Sequence, residues 1–145
     1  MPAQPGSLVD QSVYQEPQLA DGFFGNYYRA TYDFAVQGGA TGAITLNPWL
    51  PINTVIYGGL FHVITTFTGA TNTLSMGLNT TTDILGATAI ATYGTTGLHA
   101  VIPVATAATA IVLTAARQLV LTLATANVTA GKMTIFLLTY VSQSA

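Results

Sequence analysis

Met133-Thr134-Ile135-Phe136-Leu137-Leu138-Thr139-Tyr140-Val141 is apolar or β-branched at every position. Branched and aromatic side chains favour extended structure, and a run that is apolar at both parities predicts a strand covered on two faces. Such a strand belongs at the centre of a sandwich or at an interface.

Working back from this run, Arg117–Ala124 is a second clear strand, separated from it by residues 125–131. Ala105–Ala116 is Ala-rich enough to suggest a helix, but Thr106, Thr109, Ile111, Val112 and Thr114 argue for β structure. Leu98–Val104 contains a strand limited by Pro103. Thr80-Thr81-Thr82-Asp83 supplies N-cap residues and predicts a short helix over Ile84–Ala91, weakened by Gly86. Thr54–Phe67 and Thr71–Leu78, joined through Thr68-Gly69-Ala70, predict a hairpin, with Gly58-Gly59 marking a bulge or a close backbone approach. Ala43–Leu46 is a strand stopped by Asn47-Pro48. Tyr28, Ala30, Tyr32, Phe34 and Val36 alternate with Arg29, Thr31, Asp33 and Ala35, predicting a strand with one buried face that ends at Gly38-Gly39. Seven or eight short strands at roughly 8–15-residue spacing predict an all-β domain, a β-sandwich or jelly-roll, over residues 28–145.

Residues 1–27 differ. They hold Pro2, Pro5 and Pro17, three acids and no base, with no sustained period of 2 or 3.6. Leu8, Val9, Val13, Tyr14, Leu19, Phe23, Phe24 and Tyr27 are spread along them as anchors. This composition predicts an extended N-terminal arm that orders on a neighbour; a floppy terminus, or an arm packed on its own domain, is the competing expectation. Pro48-Trp49-Leu50-Pro51 displays the one Trp in a Pro-bounded loop, either as a partner-binding anchor or as a plug, with Phe61, at the end of the core. The cluster Tyr14, Phe23, Phe24, Tyr27, Tyr28 and Tyr32 around the arm junction reads as interaction surface.

Three basic and five acidic residues make the chain 6% charged, against roughly 25% for an ordinary soluble domain. A surface so poor in charge suits burial against partners. Arg29, Arg117 and Lys132 are too few and too scattered to neutralise a run of phosphates, which argues against nucleic acid. Thr and Gly interrupt every apolar stretch short of the roughly 18–20 residues of a spanning helix, so no membrane is expected. The opening Met-Pro-Ala-Gln-Pro-Gly has neither a basic n-region nor an apolar h-region, so synthesis in a cytoplasm without a secretory signal is expected. With no Cys there is no disulfide, thiolate metal site or Cys nucleophile.

His62 and His99 lack a partnering His-x-x-x-His or carboxylate spacing, and both read as structural. Asp33 and Asp83, the acids of the folded part, read as strand-surface and helix-cap residues. Neither a Gly-x-Ser-x-Gly elbow nor a phosphate-cradling glycine loop occurs. Catalytic residues, metal and cofactor are each expected to be none, and an enzyme is the least favoured class.

Leu113–Ala124, Thr129–Phe136, Tyr32-Asp33-Phe34-Ala35-Val36 and Thr82-Asp83-Ile84-Leu85 resemble the phrasing of small tailed-bacteriophage virion proteins, and most nearly the capsid decoration, or cement, proteins. The resemblance runs over residues 28–142 and carries no signature motif. It implies a β-rich, self-associated domain, a dimer or trimer with trimer the family habit. Such a domain sits on the outer surface of the shell, clamping neighbouring major capsid proteins with an extended terminus. A head-fibre, tail or tail-fibre component is the neighbouring alternative. A glycan-binding β-sandwich using Trp49, Asn47 and Asn53 is the alternative from another class.

Overall fold

The structure is a computed structural model that describes residues 26–142, so the arm anchors Leu8, Val9, Val13, Tyr14, Leu19, Phe23 and Phe24 lie outside the described residues. Within it the strands are β1 (Asn26–Asp33), β2 (Gly42–Leu50), β3 (Thr54–Thr68), β4 (Thr73–Gly77), β5 (Leu85–Ala89), β6 (Gly97–Ala100), β7 (Ile111–Val112), β8 (Arg117–Ala124) and β9 (Ala130–Val141). Two single-turn helices, α1 (Phe34–Gln37) and α2 (Ile90–Tyr93), interrupt them.

The first sheet has the order β1-β9-β3-β6, with β7 also on β3, and the second has the order β2-β8-β4-β5. Every pairing is antiparallel. The chain crosses between sheets at every connection except β4 to β5 and β6 to β7. A ribbon of antiparallel pairs is thereby folded over on itself, the double-sheet jelly roll. The all-β sandwich read from the strand spacing is the fold observed.

Period-2 alternation fills the space between the sheets. Tyr28, Ala30 and Tyr32 of β1, Leu119, Leu121 and Leu123 of β8, and Met133, Ile135 and Leu137 of β9 all point inward and are buried. Each such leucine contributes about 2 kcal/mol relative to an exposed one. Tyr32 stacks on Phe67 with centroids 5.4 Å apart, and Gly131 lies beneath that Phe67 ring where a Cβ would come within 2.6 Å of it. β9 lies between β1 and β3, the central place its two apolar faces predict.

The structure corrects several local expectations. The first strand ends at Asp33 because the Asp33 carboxylate accepts from the Ala35 N–H and starts α1, so Phe34 and Val36 are helical and the alternation breaks. β3 and β4 do not form a hairpin: they lie in opposite sheets, and the Gly69 corner carries the chain across the sandwich. The predicted helix over Ile84–Ala91 is replaced by β5 followed by α2. Asp83 caps nothing downstream; its carboxylate accepts from the N–H groups of Leu78, Asn79 and Thr80 and closes the β4–β5 loop, leaving Ile84 and Leu85 to be buried in extended form. The strand expected within Leu98–Val104 is β6, whereas of Ala105–Ala116 only Ile111–Val112 pairs. Gly58-Gly59 does mark a bulge, where the register shifts between Ile56 and Gly58.

Candidate interaction surfaces

Register partners in antiparallel strands share a face, so the cross-strand rows define what each sheet shows to the outside. On the first sheet the outward rows are Leu98–His62–Thr134–Thr31, Ala100–Leu60–Phe136–Arg29, Gly58–Leu138–Tyr27 and Val112–Val55–Tyr140, of which Thr134, Val55 and Gly58 are themselves buried. This face is mostly apolar. Leu98 is 68% exposed, Tyr27 69% and Leu138 45%, with Leu60, Val112 and Tyr140 also open to solvent. The Leu138 side chain lies over Gly58, and the Tyr57 ring, set aside by the bulge, tilts against Tyr140 at 5.9 Å. Charge enters at the margin: Arg29 on the edge strand, and beyond the Thr134–Thr31 row the Asp33–Lys132 ion pair at 3.0 Å. Lys132 and the Ala35 N–H hold the Asp33 carboxyl below its ordinary pKa.

The second sheet shows a different exterior. Its rows are Trp49–Gln118, Thr45–Val120–Gly77 and Ala43–Thr122–Ser75, small and polar apart from Val120 and the ring at one end, and of these Ser75 and Gly77 are buried, the Thr80–Thr81 backbone lying against Gly77. Trp49 follows the cis Asn47-Pro48 bond in the bulged half of β2 and is 63% exposed, so it does not plug the core; Phe61 is the buried residue of that pair. The Asn47 Oδ1 accepts from Gln118 Nε2 at 2.7 Å, and the backbone N–H of Asn53 donates to the Leu113 carbonyl.

Of the aromatics assigned to interaction surface at the arm junction, Tyr27 is exposed on β1, whereas Tyr28 and Tyr32 are core residues. The Tyr28 hydroxyl donates to the Pro48 carbonyl at 3.0 Å and the Tyr32 hydroxyl to the Gly38 carbonyl at 2.8 Å. Burial pushes both phenols up to about 12, for Tyr32 with help from the Asp33 charge.

His62 is exposed in the outer row of the first sheet, not satisfied in the core. His99 is structural: its ring stacks on Phe61 at 5.1 Å, meets Tyr93 edge-on, and donates from Nε2 to the Thr95 carbonyl at 2.8 Å. A cleft of about 590 Å³ lies between the β3–β4 corner and α2, lined by Thr66, Thr68, Thr71, Thr95 and Asn72 with no charged side chain. Asn72 donates from Nδ2 to the Ala126 carbonyl there and holds the corner against the β8–β9 loop. No group of three or more His, Asp or Glu among the described residues is arranged to hold a metal.

The apolar outer face of the first sheet is the feature that sequence reasoning located least well. Its signal is the second apolar parity of Phe136, Leu138 and Tyr140, which fits a sandwich centre and an interface alike.

No protein-family model and no curated protein matches the chain. Three solved structures share its fold. A chain of the cyanophage Pam1 capsid asymmetric unit is 20% identical with a TM-score of 0.59, the match covering 83% of this chain and 89% of that one. A chain of the Ralstonia phage GP4 capsid is 19% identical with a TM-score of 0.58, covering 85% and 89%. A chain of the acid-stable capsid of Helicobacter pylori bacteriophage KHP30 is 16% identical with a TM-score of 0.55, covering 83% and 91%. At these identities the likeness is one of fold, and it extends over nearly the whole of each of those chains.

Proposed function

We propose that this protein is a structural, non-enzymatic component of a phage virion that binds the outside of the assembled capsid and stabilises it by clamping neighbouring major capsid proteins. The observation that carries the reading is the jelly roll shared, almost end to end, with chains of three phage capsids. A surface made of Thr, Ser, Gly and apolar atoms supports it, because such a surface suits a molecule that remains docked.

The arm anchors Leu8, Val13, Tyr14, Leu19, Phe23 and Phe24, with Tyr27 where β1 begins and Trp49 on the bulged end of β2, are the residues proposed to meet the lattice. Clamping requires no chemical step. A ligand that binds only the assembled lattice stabilises it by mass action, and arm and domain contacts made together reinforce each other through effective concentration.

Co-sedimentation of the purified protein with undecorated shells of its own phage tests the reading. The deletion to compare is residues 1–25, since removing 26 and 27 would strip the pairs Asn26–Thr139 and Tyr27–Leu138 from the sheet. Full-length protein is expected to pellet with shells at a fixed stoichiometry and the deletion to bind much more weakly. If neither form binds, the capsid reading fails, and binding to an immobilised glycan array that is lost with Trp49→Ala would put the sugar-binding module in its place.

A further inference from the structure

We infer that the cleft between the β3–β4 corner and α2 is a binding site for a neutral pyranose, a sugar ring presented either free or at the end of a glycan chain. The site is separate from the Trp49 surface and independent of capsid binding.

An unpaired acceptor marks it. Among the described residues two buried side-chain oxygens have no hydrogen-bond partner, Thr122 Oγ1 within β8 and Asn72 Oδ1 in the wall of this cleft. Buried polar atoms are nearly always paired, so an orphan calls for an explanation. Asn72 is only 3% exposed, and its amide is fixed in one orientation because Nδ2 donates to the Ala126 carbonyl at 2.6 Å. The oxygen end is left against Gly69, where an added Cβ would collide with it. Glycine at the corner therefore leaves only a backbone turn over this oxygen. That turn, Gly69-Ala70, is exposed, and a ligand that displaces it uncovers an acceptor which an O–H donor satisfies.

The rest of the lining selects the chemistry of the ligand. No charged side chain is present, so an ion entering the cleft would lose water and gain no counter-charge. Phe67 and Ile90 supply a buried apolar floor, and Thr66, Thr71 and Thr95 set exposed hydroxyls around it. A pyranose has the matching surface: C–H faces that lie on an apolar floor and an edge of hydroxyls that both donate and accept. An extended peptide matches less well, since it is held through backbone pairing and the walls have used their own backbone groups. The Phe67 N–H donates to the Gly94 carbonyl at 2.8 Å, and the Ile90 N–H to the Asn72 carbonyl at 3.0 Å. The same two bonds tie β3, α2 and the corner together, so the walls are preformed. The volume of about 590 Å³ falls within the roughly 300–1,000 Å³ of small-molecule sites.

Saturation-transfer NMR on the free, full-length protein tests this without any shell, so its outcome is read separately from that of co-sedimentation. The probes are glucose, galactose, mannose and N-acetylglucosamine, each as the free sugar and as the methyl glycoside, with glucuronate as the charged comparison. Transfer to at least one neutral sugar is expected, with a Kd on the order of 1 mM, together with a shift of the Asn72 side-chain amide signal. Binding of free sugar and methyl glycoside alike assigns the end of a chain; binding of the free sugar alone assigns a soluble monosaccharide. Ala91→Leu builds exposed α2 surface into the cleft and is expected to weaken binding about tenfold or more, while Trp49→Ala leaves it unchanged. The amide spectrum of Ala91→Leu checks that the variant is folded. Four results overturn the inference: no transfer to any neutral sugar, equal binding of glucuronate, binding that survives in a folded Ala91→Leu, or binding lost with Trp49→Ala.

Discussion

Tyr28 and Tyr32 each bury a ring between the sheets while bonding one hydroxyl to a backbone carbonyl, and both phenols are shifted to about 12 from 10.0. A phenol whose folded pKa is raised contributes stability in full below pH 10 that is lost as pH climbs towards 12, because the unfolded chain ionises first. Urea midpoints are therefore expected to fall between pH 10 and 12. Tyr32→Phe should make that fall shallower while costing about 1 kcal/mol at neutral pH for the lost hydrogen bond. Gly59 poses a second residue-scale test: its φ is +151°, and a Cβ there would come within 2.3 Å of the Phe136 carbonyl oxygen. Gly59→Ala should lower stability by about 2 kcal/mol or more in the same titration. The close approach at Gly58-Gly59 was legible in the sequence because glycine pairs inside a strand have few other uses. The fate of Tyr28 and Tyr32 was not, since an aromatic near a chain junction reads alike whether it anchors a partner or fills the core.

At the scale of elements, the β4–β5 loop turns on one side chain. The Asp83 carboxylate accepts from the Leu78, Asn79 and Thr80 N–H groups at 2.7, 2.9 and 3.1 Å, and a carboxylate receiving several backbone bonds is worth more than a neutral acceptor. Asp83→Ala is expected to cost about 2–3 kcal/mol, and Asp83→Asn less, by chemical denaturation. Thr-Thr-Thr-Asp resembles a helix start because a carboxylate that bonds upstream N–H groups and one that caps downstream ones have the same local sequence. What decides is Ile84 and Leu85, both of which the core needs in extended form. The β3–β4 connection escaped for a related reason. Thr68-Gly69-Ala70 suits a turn within a sheet and a crossing between sheets equally, and the crossing is fixed by distant partners: β8 receives β4, while β9 and β6 hold β3. The strands themselves, β8 and β9 above all, were legible because their side-chain pattern is set by the sandwich alone.

At the scale of the whole molecule, the jelly roll closes one apolar interior and leaves a second apolar surface outside it, on a chain with eight formal charges in 145 residues. The class of fold was written in strand spacing; the exterior was not, because which parity of a doubly apolar strand faces out depends on which sheet covers it. A domain built this way gains by remaining assembled, and the role proposed for it is to make a shell harder to break. The direct measurement is the temperature at which undecorated shells rupture, followed as the purified protein is titrated to saturation. A rupture temperature that rises with occupancy and levels off when the sites are full is the predicted result. Shells that bind the protein to saturation and still rupture at the original temperature would contradict it.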